Sequence, residues 1–208
     1  MPSPVDVALA DLARTLNRVG VRWFLFGAQA AILYGSTRVT EDIDVTVELG
    51  RITPRALVEA LARGGFTLRV RDTDGFIART RVMPVVHRAT RMPVDVVFAG
   101  PGLEERFMDR RRNEKRGRIE LPVATPEDIV VMKILAGRPH DLDDVRAVVR
   151  GLGDALDVAY LTETVAQLED ALGQSDLMPL LKNVLADLRR GRRAKPVAKR
   201  RRVTKAKR

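Results

Sequence analysis

Residues 21–47 constrain this chain more than any other stretch. Val21 to Phe26 is an apolar run broken only by Arg22, and it stops at Gly27. A run of that length ended by glycine predicts a buried strand. Ala28 to Tyr34 is rich in Ala, Leu and Ile and predicts a short helix, closed at Gly35-Ser36. Asp42-Ile43-Asp44-Val45-Thr46-Val47 then alternates with period two. A second strand follows from that pattern, with Ile43, Val45 and Val47 on one face and Asp42, Asp44 and Thr46 on the other. The apolar face needs a packed layer, and the acidic face stays open. Two like charges at i and i+2 on a strand repel. Either that face is simply solvated, or a hard divalent cation, which takes oxygen ligands, neutralises both carboxylates.

The rest of the chain limits what this unit can belong to. Its 208 residues suffice for one domain with a helical appendage. The absence of cysteine excludes a disulfide framework and a thiolate metal site, and it fits a cytoplasmic location. Residues 4–19 place Val5, Leu9, Leu12 and Leu16 on one stripe among Asp6, Asp11, Arg14 and Arg18, which is an amphipathic helix and not a signal peptide. No run approaches the ~18 apolar residues of a membrane span, so no membrane partner is expected. The formal charge of +10 is unevenly placed: residues 189–208 hold 12 of the 37 Lys and Arg and none of the 27 Asp and Glu. Residues 1–188 therefore carry 25 − 27 = −2. A near-neutral body carries a polycationic tail, and such a tail binds nucleic acid without sequence preference or merely solubilises the chain.

Further elements follow in order. Thr53-Pro54 predicts a helix start, ended at Gly64-Gly65. Phe66 to Arg71 reads as a strand, Asp72-Thr73-Asp74-Gly75 as a turn, and Phe76 to His87 as one or two strands around Pro84. In Val94-Asp95-Val96-Val97-Phe98, Asp95 is a lone acid in an apolar strand: exposed, paired with an arginine, or bound to metal. A short helix is expected over Gly102 to Asp109, a basic loop over Arg110 to Arg118, and a last strand over Ile119 to Ala124. Thr125-Pro126-Glu127-Asp128 opens a helix that ends at Gly137 and holds Lys133 alone among apolar residues, either reaching out to water or aimed at a site. Asp141 to Arg146 opens the next helix, with Asp141 and Asp144 as a cap and first-turn acid or as site residues. Two more helices run from Asp154 to about Arg190, broken at Gly173. Residues 191–208 cannot bury a core and are expected to be disordered.

Arg38-x-Thr40-x-Asp42-Ile43-Asp44, behind the strand, Gly27-Ala28 turn and short helix, resembles the nucleotidyltransferase superfamily with its polymerase-β-like fold, and most nearly the bacterial AbiEii-type toxins and minimal nucleotidyltransferases. Lys133, Ala136-Gly137-Arg138, Asp141 and Asp144 match that group's later pattern, while Ala28 and His140 depart from it. The resemblance covers about residues 20–150. It implies an α/β (α+β) fold, a mixed β-sheet flanked by helices, with residues 1–150 as the nucleotidyltransferase-like domain, 151–190 as a helical cap and 191–208 as the tail. It also implies Asp42, Asp44 and Asp95 as ligands of Mg²⁺, or Mn²⁺. Gly27, Ala28, Arg38, Thr40, Lys133 and Asp141 would lie at the nucleotide, with Lys133 also catalytic. With Ala28 in place of Gly or Ser, backbone N–H groups at the helix start would have to supply the phosphate contacts. The implied activity moves an NMP from an NTP to an RNA, such as a tRNA 3′ end, or to a protein. An antitoxin would be the partner if the chain is the toxin of a toxin–antitoxin pair. The alternative is a lapsed nucleotidyltransferase scaffold that binds nucleic acid through residues 189–208.

Overall fold

The computed structural model describes residues 2–38, 40–71 and 73–193. Helix α1 (Pro4–Val19) starts where Ser3 and Asp6 form a reciprocal capping box and ends at left-handed Gly20, so both termini have their free backbone groups met. Its stripe of Leu9, Leu12, Ala13 and Leu16 is buried. Strand β1 (Arg22–Phe26), helix α2 (Gly27–Leu33) and strand β2 (Ile43–Glu48) follow as the sequence predicts. Then come α3 (Pro54–Arg63), β3 (Phe66–Leu68), α4 (Thr73–Thr80), β4 (Val82–His87), β5 (Pro93–Phe98), α5 (Leu103–Arg110), β6 (Arg112–Arg116) and β7 (Ile119–Val123). Four longer helices complete the described residues: α6 (Pro126–Ala136), α7 (Pro139–Leu152), α8 (Val158–Leu172) and α9 (Leu177–Arg193).

The strands form one mixed sheet of seven in the order β3-β4-β5-β2-β1-β7-β6. β2 runs antiparallel to β1 and parallel to β5. Register and alternation divide the sheet into two faces. Trp23, Leu25, Ile43, Val45, Val47, Val94 and Val96 fill one face and are buried. α1 covers it, with Trp23 Nε1 donating to Asn17 Oδ1 at 2.8 Å and His87 Nε2 lying 3.1 Å from Asp11 Oδ2. The other face carries Phe24, Thr46, Asp44 and Asp95. α6 is buried on nearly all sides, as a helix must be when its apolar residues go all round. It packs against α2, α7, α8 and α9. Leu161, Val165, Leu177, Leu181 and Val184 of the last two helices belong to the same buried cluster as the sheet residues.

Five expectations change. The expected turn at Asp72–Gly75 and the strand from Phe76 are replaced by α4, and only Val82–His87 is strand. Thr and Asp mark helix starts as well as turns; here the chain continues as helix until Arg81, left-handed at φ 57°, stops it. The basic loop over Arg110–Arg118 is the end of α5 and the edge strand β6, paired antiparallel to β7 through the turn at Gly117. An edge strand has one free side in water, so charged residues serve there although they lack strand propensity. Helix α7 begins at Pro139, so Asp141 does not cap it. Strand β3 ends at Leu68, before the expected Arg71, and α9 runs to Arg193, past the expected end near Arg190. Residues 194–208 of the expected tail lie outside the described residues.

Candidate active site

Strand register brings two of the aspartates to neighbouring positions. Phe26 is opposite Asp44 across β1 and β2, Asp44 is opposite Asp95 across β2 and β5, and Asp95 is opposite Pro84 across β5 and β4. Asp44 and Asp95, 51 positions apart in sequence, thus stand side by side on neighbouring parallel strands. Asp42 sits just before β2, where the hydroxyl of Thr40 donates to its Oδ1. Gly27 enters α2 in the left-handed region at φ 68°. A Cβ there would overlap the Asp44 carboxylate, so only glycine lets the turn come this close. The first turn of α2 has no side-chain cap.

A cleft of about 280 Å³ opens at this point. Gly27, Ala28, Arg38, Asp42, Asp44 and Asp95 line it, together with Lys133 of α6, Asp141 of α7 and Arg138 between these helices. Burial, and then repulsion from Asp42 and Asp95, push the Asp44 carboxyl up to about 7, against the pull of Lys133 and Arg138. Lys133 does not reach out to water. Its ammonium is buried, 3.1 Å from Asp141 Oδ1 and 2.7 Å from Asp144 Oδ2. A buried charge persists only when paired, and α7 supplies both partners. Asp144 also accepts from Ser36 Oγ at 2.7 Å and from the Arg38 guanidinium at 3.3 Å. Arg138 Nε donates to Asp141 Oδ2 at 2.5 Å. Burial by itself raises the Asp141 carboxyl, but the hydrogen bonds from Arg138 and Lys133 outweigh it and hold it below the usual range. The network ties the loop after α2 to α6 and α7, and fixes the cations that face the carboxylates.

Asp42, Asp44 and Asp95 are the oxygen donors a hard divalent cation takes. Burial is the first cause of the raised Asp44 carboxyl, and the repulsion from Asp42 and Asp95 that adds to it is what a bound cation would relieve. Among the described residues no three acidic or histidine side chains already converge as a ligand set. Asp42 turns to Thr40, and Asp95 turns to the Arg69 guanidinium. Asp42 is exposed and Asp95 partly so, and each has one carboxylate oxygen outside these two bonds. An ion pair as open as Arg69–Asp95, with side chains 38% and 37% exposed, holds by only ~0–1 kcal/mol. By donor chemistry the three carboxylates suit such a cation. Thr40 and Arg69 line an adjoining cleft of about 400 Å³ that shares Arg38, Asp42 and Asp95 with the first.

A family model described as a nucleotidyltransferase of unknown function (DUF6036) matches residues 4–177. The chain belongs to this nucleotidyltransferase family. Solved structures agree in fold. An antigenic nucleotidyltransferase-like protein from Paracoccidioides brasiliensis is 18% identical with a TM-score of 0.52, over 84% of this chain and 90% of that one. The solution structure of the antibiotic-resistance factor ANT(2'')-Ia is 13% identical with a TM-score of 0.50, over 92% of this chain and 98% of that one. No curated protein matches the chain. These likenesses establish the nucleotidyltransferase superfamily, and none bears on the narrower resemblance to AbiEii-type toxins.

In this nucleotidyltransferase the expected residues Gly27, Ala28, Arg38, Asp42, Asp44, Asp95, Lys133 and Asp141 share one cleft, and Thr40 faces its neighbour. Sequence reasoning missed Ser36 and Arg69. Ser36 follows Gly35 and reads as part of a helix stop. Arg69 is one of many arginines, and only the pairing of its backbone N–H with Pro84 O at 2.9 Å brings it beside Asp95. No helix among the described residues is long and apolar enough to cross a membrane.

Proposed function

We propose that this nucleotidyltransferase moves an NMP from an NTP to an RNA or protein acceptor, and that Asp42, Asp44 and Asp95 hold Mg²⁺ or Mn²⁺ while it does so. The observation that carries the reading is the side-by-side placement of Asp44 and Asp95 in a cleft whose far wall presents Lys133 and Arg138. Bound there, the cations would lower the pKa of an attacking hydroxyl and neutralise charge on the departing pyrophosphate. Lys133, fixed by Asp141 and Asp144, and Arg138 would draw the triphosphate into the cleft and stabilise its developing charge. The acceptor oxygen attacks the α-phosphorus and forms a new P–O bond. The P–O bond to the β-phosphate breaks, and its electron pair leaves with pyrophosphate. Asp95, which borders both clefts, takes the hydroxyl proton.

Incubation with each α-³²P-labelled NTP, Mg²⁺ and total cellular RNA, beside Asp44→Asn, tests the reading. Label should move to RNA or protein with the unmutated chain alone. Equal labelling by Asp44→Asn would sink the mechanism. Failure of all nucleotides with folded protein would favour the second reading, a lapsed scaffold acting through its basic tail, for which Ala28 and the occupation of Asp95 by Arg69 speak. A place in the cytoplasm as the toxin of a toxin–antitoxin pair extends the same proposal. Expression should then arrest growth of a host cell, Asp44→Asn should not, and a partner protein should relieve the arrest.

A further inference from the structure

The two clefts meet at Asp42 and Asp95 but differ in character. The first has the lysine, Arg138 and the glycine turn. The second lies toward β3 and β4, with Arg69 and Pro93 in its wall. In-line displacement brings the entering oxygen and the leaving pyrophosphate to opposite sides of the phosphorus. With the triphosphate beside Lys133, the acceptor enters from the second cleft, over Asp95. Arg69 stands there now. Its backbone pairs with Pro84, which extends the row across the sheet to Arg69, Pro84, Asp95 and Asp44, and its guanidinium holds Asp95 Oδ1. Asp95 cannot serve the guanidinium and a divalent cation with the same oxygen. Arg71 and Arg91, each two positions in sequence from a wall residue of this cleft, Arg69 and Pro93, are exposed.

Resting on the nucleotidyl-transfer reading above, we propose that the second cleft takes a polynucleotide acceptor and that Arg69 is its switch. With the cleft empty, Arg69 holds Asp95 and weakens the cation site. An acceptor phosphodiester beside the attacking hydroxyl draws Arg69 away, and Asp95 is freed for metal and proton at the moment the acceptor is in place. The pair is open enough to exchange partners easily, and a phosphodiester offers the guanidinium two oxygens in the geometry it binds best. The transfer step itself is unchanged: Arg69 forms and breaks no covalent bond.

Arg69→Met and Arg69→Lys in the full chain test this. Arg69 is exposed, and only its guanidinium contact is lost in the methionine variant. Mn²⁺ affinity, read from the free-ion electron paramagnetic resonance signal without nucleotide or RNA, should rise about threefold to fivefold in Arg69→Met and change little in Arg69→Lys. With a short single-stranded RNA bearing a free 3′-hydroxyl, KM for the RNA should rise about tenfold in Arg69→Met while KM for the NTP stays constant. Unchanged Mn²⁺ affinity in Arg69→Met, where Asp95→Asn weakens binding, would overturn the switch and leave the metal site standing. Label arriving on a protein side chain and not on the RNA would overturn the acceptor. Absence of Mn²⁺ binding in every version would remove the metal reading and this proposal together.

Discussion

Asp44 is the site aspartate that burial and its acidic neighbours perturb upward. Its carboxyl sits near 7 in the folded chain, against an ordinary value of 3.8. The folded state therefore holds a proton that the unfolded state has released between these values, and stability falls as pH rises across that window. The penalty is absent below the unfolded value, complete above about 7, and on the order of 4 kcal/mol at most. Asp44→Asn should thus raise the melting temperature of the metal-free protein at pH 8 and leave it nearly unchanged at pH 4, as thermal melts at the two values would register. Mg²⁺ should raise the melting temperature of the native chain at pH 8 more than that of Asp44→Asn. Lys133 is the complementary case. Lys133→Met leaves Asp141 and Asp144 facing each other in a buried site, so it should destabilise the fold by ~3–5 kcal/mol in urea unfolding as well as remove activity.

Among the elements, the β1–α2 turn and the clasp of α5, α6 and α8 are the most sensitive. Gly27→Ala adds a methyl against the Asp44 carboxylate in a left-handed backbone. It should cost ~1–3 kcal/mol and abolish nucleotide binding, measured by calorimetry at a temperature where the variant is folded. In the clasp, Tyr160 donates to Asp128 Oδ1 at 2.7 Å, while Arg110 lies 3.7 Å over the Tyr160 ring and reaches Asp128 at 3.2 Å. Burial pushes the Asp128 carboxyl up, although hydrogen bonds from Tyr160 and Thr125 pull it down. Tyr160→Phe should lower stability by ~1–2 kcal/mol with no change in transfer kinetics, because the clasp lies outside both clefts.

For the whole molecule, charge and fold answer to different parts of the chain. The basic residues 189–208 should make RNA binding salt-dependent, with ~10³-fold loss between 50 and 200 mM salt if about six phosphates are neutralised. Filter binding should show the same slope for Asp44→Asn. Local chemistry was legible in the sequence wherever one short segment carries it. The capped starts at Thr53 and Thr125, the period-two strand at Ile43–Glu48 and its acidic face all follow from neighbours a few residues apart. α4 and β6 were misread because turn signals double as helix starts and because an edge strand tolerates charge. The sequence by itself determined that Asp44 and Thr46 share one face of a strand, that Lys133 is anomalous on its helix, and that a polycation follows a near-neutral body; the expectation that this face stays open fails, because Thr46 and Phe24 on it are buried. Only the tertiary structure decided that Asp95 stands beside Asp44, that Ser36 and Asp144 lock Lys133 and Arg38, and that Arg69 occupies Asp95. Each of these depends on strand register or helix packing between residues far apart in the chain, and register is settled by the burial of a whole sheet face rather than by any segment alone.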